Sequence, residues 1–273
     1  MTRSRAFRGT SCLLAVCFLS GLAPAAAAPP GPGCAVSAEQ GGVLFPVDKL
    51  DVQTLCRIGA VVNGYTTSGL IGPAQTPVTP QLYEYLLDRP PLIASLTDRL
   101  GLGAYEFTVR DQDQYWVNDG EGTQGLLTLV YQDHAHRIYH IDGYHLGQVF
   151  PMVRAKAAVF MHLTPSATPE GLPAVQTSLV AYTKLDDSIL AGLVRILRPL
   201  IGEAVTRKLS HGFEVTNQLG VAIAEDRDRV VQQASLIPWL SPNELQALIG
   251  WLYTVPQRAP APASAPQPLQ ASP

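Results

Sequence analysis

Lys184-Leu185-Asp186-Asp187 opens the stretch that decides the fold. From Ile189 onward, Leu193, Ile196, Leu197, Leu200, Ile201, Val205, Leu209, Phe213 and Leu219 form one apolar stripe at the 3.6-residue period of an α-helix. The two aspartates stand where carboxylates favour the N-terminal end of a helix dipole, so capping accounts for them. Pro199 removes a backbone donor within the stripe, which predicts a kink.

Upstream of this helix the pattern is one of strands. Tyr105, Phe107 and Val109 alternate with Glu106, Thr108 and Arg110, and Tyr115 to Asn118 runs into the turn Asp119-Gly120-Glu121-Gly122. Leu126 to Tyr131, Arg137 to Ile141, Ala155 to Leu163 and Val175 to Thr183 complete six strands. A first strand is read from Val61-Val62 and Tyr65 to Ile71, ending at Gly72-Pro73. Between it and the rest lie two short helices. Thr79-Pro80 caps one, with Leu82, Tyr83, Leu86 and Leu87 at helical spacing; Leu92, Leu96 and Leu100 share a face of the other, which stops at Gly101. A capping box at Ser241-Pro242-Asn243-Glu244 starts one further helix carrying Leu245, Leu248, Ile249 and Leu252. That helix lacks the basic face a membrane-surface helix needs.

Seven strands, the last six followed by a long helix, predict an α+β fold: a curved antiparallel sheet with the helix laid across one face. The element order, the motif Val78-Thr79-Pro80-Gln81-Leu82-Tyr83-Glu84-Tyr85-Leu86-Leu87-Asp88-Arg89-Pro90 and the Gly-rich turn Gly120 to Gly125 resemble the helix-grip fold of the START-like (SRPBCC) superfamily over residues 60–225. The resemblance implies an apolar cavity between sheet and helix that holds lipids or other hydrophobic small molecules. Some members of that superfamily are enzymes, and many only carry or sense. At the wall of such a cavity we place Tyr105, Phe107, Tyr131, Tyr139, Phe160 and Tyr182 from strands, with Leu193, Leu197 and Leu200 from the helix. Aromatics on strands are also ordinary core residues, so each assignment competes with plain packing.

The ends of the chain lie outside this pattern. Arg3, Arg5 and Arg8 precede an apolar run from Cys12 to Leu22 and then Ala25 to Ala28, the order of an export signal spanning residues 1–28. The run is too short for a membrane span, which takes about 20 apolar residues. Lipoprotein attachment at Cys17 competes, but Val16 is bulky where a small residue normally precedes the acylated Cys. Residues 29–59 read as an arm joining the signal to the domain, 226–256 as a helical extension, and 257–273, almost wholly Pro, Ala, Ser and Gln, as a disordered tail. Signal removal leaves two cysteines, Cys34 and Cys56, expected to pair as a disulfide in an oxidising, periplasmic or secreted setting.

Composition narrows the classes. Of 273 residues 47% are apolar and 15% charged, with 19 basic and 22 acidic side chains. The fraction of apolar residues excludes a disordered or collagen-like chain, and the absence of excess positive charge argues against a nucleic-acid partner. No P-loop, G-x-S-x-G, H-E-x-x-H or dinucleotide fingerprint occurs, so no cofactor is expected. Asp111-x-Asp113 resembles the start of a calcium loop, but Trp116 stands where that loop requires Gly.

One cluster invites chemistry. His134, His136, His140 and Asp142 share one face if a single strand holds them all, which would suit an open zinc or iron site. His140 with Asp142 alone would suit acid/base work. Three functions follow from the sequence: an exported carrier of a hydrophobic, lipid-like molecule; an enzyme on the same scaffold using the His134/His136/His140 face, with or without a metal; or an envelope interaction protein with a filled centre.

Overall fold

The computed structural model describes residues 33–147, 152–186 and 194–257, and within the long helix it describes side chains from residue 207 onward, except 209. The export signal and the C-terminal tail read from the sequence lie outside the described residues.

Seven strands form one antiparallel sheet. They are β3 (Thr67–Thr76), β4 (Glu106–Asp111), β5 (Gln114–Asn118), β6 (Thr123–Gln132), β7 (His136–His145), β8 (Val153–Ala167) and β9 (Pro173–Leu185), in the spatial order β3-β9-β8-β7-β6-β5-β4. Strands β4 to β9 are a meander of sequential neighbours; β3 closes against β9, with Thr67 opposite Thr183. Helices α2 (Pro80–Leu87) and α3 (Pro90–Leu100) carry the chain from one sheet edge to the other. Thr79 caps α2 by accepting from the Leu82 N–H, and Gly101 ends α3 in the left-handed conformation at φ 72°. Helix α4 (Val194–Glu225) then crosses the sheet as one continuous element through Pro199. This is a helix-grip architecture, an antiparallel sheet holding a long helix.

Two parts of the fold differ from the sequence expectation. Val61 and Val62 do not begin a strand; they end helix α1 (Val52–Val62), capped by Asp51. The β-branched pair is misleading because Ile58, Val61 and the partly buried Leu55 also sit at helical spacing, and that face is what the sheet buries. The first strand also runs past Gly72-Pro73, through an irregularity between Ile71 and Ala74, to Thr76. A Cβ on Gly72 would lie 2.7 Å from the Thr177 carbonyl oxygen, so only glycine permits that close passage at φ 91°. Beyond α4, two helices rather than one extend the chain: α5 (Arg227–Ser235) and α6 (Pro242–Leu252), the latter with the capping box read from Ser241 and Glu244.

Alternation along the strands divides the sheet into two faces. On the concave face Ile71, Val159, Leu179 and Ala181 are buried beneath Phe213 of α4. At one end of that face Leu82, Leu92, Leu96, Leu219, Ile223, Leu248 and Leu252 make the largest core, joining α2, α3, α4, α5 and α6. The convex face is not open either. The N-terminal arm, a small hairpin of β1 (Glu39–Gln40) and β2 (Val43–Leu44), lies over it with α1, burying Phe45, Ile58 and Val61 against Ile138, Ala158, Phe160 and Val180. Cys34 is disulfide-bonded to Cys56 of α1, and Tyr182 donates to the buried Gln40 side chain at 2.7 Å. Fully burying a side chain such as Phe160 contributes roughly 2–3 kcal/mol, so the arm is part of the folded unit.

Candidate functional site in the concave face

The inward residues of the sheet fall into two groups. Toward β8 and β9 they are sealed: Val159, Leu179 and Ala181 are each under 7% exposed. Toward β4 to β7, Phe107, Tyr115, Leu127, Leu129, Tyr139 and Ile141 are only half-buried. Register places these six on one face, since Leu127 stands opposite both Tyr115 and Ile141, Leu129 opposite Tyr139, and Tyr115 opposite Val109. The result is an apolar strip, on the face that carries Phe213 of α4, whose side chains keep part of their surface accessible.

Tyr139 is informative about depth. Burial drives its phenol up to about 12, against the opposing influence of Arg137, yet the residue retains accessible surface. Burial likewise raises the phenols of Tyr115 and Tyr105.

A polar layer lies behind this apolar strip. Arg137, 2% exposed, projects to the same face two residues before Tyr139. Its Nη2 donates to Asp88 Oδ1 at 2.6 Å, at the C-cap of α2, and its Nη1 to Gln132 Oε1 at 3.1 Å. Its Nε is buried without a hydrogen-bond partner. Deeper still, buried Tyr83 of α2 accepts from Thr177 Oγ1 at 3.3 Å, and Thr76 donates to Asn217 of α4 at 3.0 Å. Hydrogen bonds thus tie strands β7 and β9 to the α2 segment, and β3 to helix α4, at one end of the apolar strip. The sequence reading missed this layer; an arginine on the apolar strand Arg137 to Ile141, with Asp88 closing the α2 motif, was its only signal.

The nine residues placed at a cavity wall separate cleanly. Tyr105, Phe107 and Tyr139 lie on the concave face; Tyr105 meets His211 of α4 with ring centroids 6.1 Å apart, and Phe107 meets Tyr115 at 6.5 Å. Tyr131, Phe160 and Tyr182 belong to the opposite face, under the arm, and cannot line a space beneath α4. Strand parity decides this: Phe160 follows inward-facing Val159 and so must point outward, and Tyr131 stands opposite outward Ile138 because an irregularity in β6 follows Leu129. Leu193 lies outside the described residues, and Leu197 and Leu200 fall in the part of α4 whose side chains are not described.

The histidine cluster does not assemble. His134 sits in the turn before β7, nearly fully exposed, with its Nδ1 3.1 Å from Glu84 of α2. His136 and His140 do share the convex face, but four strand residues separate them by about 13 Å, far beyond two ligands on one metal. His136 is held by Asp133 at 3.1 Å and meets Phe45 edge-on at 5.1 Å and the tilted His162 ring at 5.2 Å. His140 is buried beside α1; burial first, then the charge of Arg57, lowers its pKa to about 4. Neither it nor Asp142 faces the concave strip. Among the described residues no group of three or more His, Cys, Asp or Glu side chains could hold a metal ion.

Two clefts flank the C-terminal half of α4. One of about 320 Å³ runs between α3, α4 and α5, lined in part by Glu214, Gln218, Glu225 and Asp226. The other, about 210 Å³, lies between α4 and the β8–β9 hairpin, beside Thr168 and Glu170. Both are open to solvent and lined by polar and apolar groups together, and none of the strip residues lines either.

Comparison of the sequence with protein-family models and with curated proteins finds no match. Solved structures similar to this chain include a conserved protein from Geobacillus kaustophilus (14% identity, 56% of this chain and 93% of that one, TM-score 0.41). Ara h 8.0201 is also similar (17%, 57% and 96%, TM-score 0.33), as is norcoclaurine synthase from Thalictrum flavum (13%, 57% and 87%, TM-score 0.28). The assignment of the helix-grip architecture rests on the strand order and the placement of α4.

Proposed function

We propose that this protein is an exported carrier that holds a hydrophobic small molecule, lipid-like in character, between the concave strip and helix α4. One observation carries the reading: six apolar or aromatic inward residues of β4 to β7 keep accessible surface while their neighbours on β8 and β9 are sealed. A concave apolar wall with a few convergent polar groups is the usual form of a small-molecule site. Export is supported by the signal-like order of residues 1–28 and by the Cys34–Cys56 bond, which persists in an oxidising compartment. Among the described residues no helix is long and apolar enough to cross a membrane.

Native mass spectrometry of the purified protein tests the reading directly. A co-purifying apolar molecule is expected. Substituting Leu129→Trp fills the strip and should abolish retention while far-ultraviolet circular dichroism stays unchanged. Retention by the filled variant would place the molecule elsewhere and end the proposal.

A further inference from the structure

We infer that His136 and His162 form a separate site on the convex face of the sheet, one that binds a single divalent transition-metal ion, copper(II) most tightly. The two residues stand directly opposite each other on β7 and β8, with ring centroids 5.2 Å apart. Two imidazoles sharing one ion through metal–nitrogen bonds of about 2.1 Å, at angles from square-planar to tetrahedral, hold their ring centres about 4.5–5.5 Å apart. The pair already has that spacing.

Hydrogen bonding decides which nitrogen is offered. An ionised carboxylate only accepts, so Asp133, 3.1 Å from His136 Nδ1, keeps the ring hydrogen on that atom and leaves the lone pair on Nε2. A carboxylate behind an imidazole is the usual outer support of a metal-binding histidine, because it fixes the ring and makes the other nitrogen more basic. Asp133 is itself fixed. It accepts from the backbone N–H groups of Ala135 and His136 and from the Tyr131 hydroxyl. Across the strand pair, Thr164 Oγ1 lies 3.5 Å from His162 Nδ1 and can accept from it, which again leaves Nε2 as the ligand atom. Among the described residues no hydrogen bond occupies either Nε2. The His136 side chain is 19% exposed and His162 is half-buried, whereas the unpartnered Nε2 of His140 is sealed.

Donor chemistry selects the ion. Imidazole suits copper, nickel and zinc, and affinity along the divalent series peaks at copper. No thiolate competes for a softer ion, since Cys34 and Cys56 are bonded to each other. Because no third His, Cys, Asp or Glu joins the pair among the described residues, water completes the coordination, and the Asp133 carboxylate offsets part of the ion's charge from behind His136.

Titration of the untagged, chelator-treated protein with copper(II), followed by calorimetry and electron paramagnetic resonance, tests the site. Wild type should bind one ion whose spectrum carries coupling to two imidazole nitrogens. His136→Gln and His162→Gln should each weaken binding by about tenfold or more, one of two ligands being lost, while His134→Gln, in the turn before β7, should not. Wild-type affinity in both His136→Gln and His162→Gln would overturn the site, as would an equal loss in His134→Gln. Since His136 packs against Phe45, a poorly folded variant is replaced by a measurement on wild type alone: isotope-labelled histidine should change the coupling pattern as two equivalent nitrogens require, and a pattern of one imidazole or none would reject the pair. Leu129→Trp, which fills the apolar strip on the opposite face, should bind copper(II) as wild type does; a loss there would tie the ion to the strip and end the separate site, whereas loss of apolar-molecule retention alone leaves it standing.

Discussion

Lys208 of α4 and Asp119 of the β5–β6 turn meet Nζ to Oδ2 at 2.6 Å, and Glu121 adds a second carboxylate at 3.1 Å from the same ammonium. The long helix is thereby fastened to the glycine-containing turn at the rim of the concave strip. Burial works against the charged carboxylate of Asp119, but the bonds it accepts from Lys208, Thr123 and Glu121 outweigh that and hold its pKa at about 2. A carboxyl depressed in this way stabilises the folded state above its unfolded pKa near 3.8, and that contribution is lost as pH falls through about 2. Lys208→Met should lower stability by at most about 1 kcal/mol, an exposed-pair magnitude, and the loss should shrink in high salt. Thermal melts at two ionic strengths check it; a salt-independent loss would mean that packing, not charge, accounts for the effect.

His140 should make the protein sensitive to mild acid. Its folded pKa, about 4, lies below the unfolded value of 6.5, so between those limits the unfolded chain takes up a proton that the folded chain does not. Stability therefore falls as pH drops from 6.5 toward 4, by at most about 3 kcal/mol. Urea titrations at pH 7 and pH 5 should show the difference for wild type, and His140→Gln should flatten it. An unchanged slope in that variant would assign the sensitivity to another group.

Reduction of Cys34–Cys56 releases the arm's anchor, with 22 positions separating the two cysteines. The expected cost is about 3 kcal/mol. Phe45→Ala, which removes the ring packed on Phe160 at 5.3 Å, should cost a similar 3–5 kcal/mol by opening the convex core. Denaturant midpoints with and without reductant measure the first effect, and the two losses should be less than additive because both loosen one arm.

Asp88→Asn leaves the buried Arg137 charge without its counter-ion. Breaking a fully buried pair costs about 3–5 kcal/mol, but the Asp88 side chain is 43% exposed, so water screens the orphaned guanidinium and the cost is smaller, while replacing both with apolar residues of similar volume is near neutral. Comparing Asp88→Asn with the double variant Asp88→Leu/Arg137→Met by thermal unfolding should show the single change as the worse of the two. The reverse order would mean that the pair itself, and not the orphaned charge, dominates.

The fold was largely legible in the sequence because period-2 and period-3.6 patterning is written on long elements. Six strands from Tyr105 to Thr183, the α2 cap at Thr79 and the capping box at Ser241 all appear where the residues placed them. The site was less legible, for a physical reason. Strand aromatics announce burial but not the side of the sheet, and here both sides are covered, one by α4 and one by an arm whose helix hides behind Val61-Val62. Tyr139 and Phe160 look alike in sequence; only registration against Val159 separates wall from backing. The histidines differ: His134 lies in the turn before β7, and the parity that His136 and His140 share does not bring residues four apart within ligating distance.

The pairing of Thr67 with Thr183 has a consequence for how the chain is made. Six strands can zip up locally as each hairpin emerges, but the first waits for the last, across more than a hundred intervening residues. Until β9 arrives, β3 and β8 each present a raw border to the surroundings, and such borders recruit foreign strands. A ribosome stalled, or a protease cutting, just short of Pro173 would thus leave a fragment prone to clumping, whereas loss of residues beyond Glu225 spares sheet closure altogether.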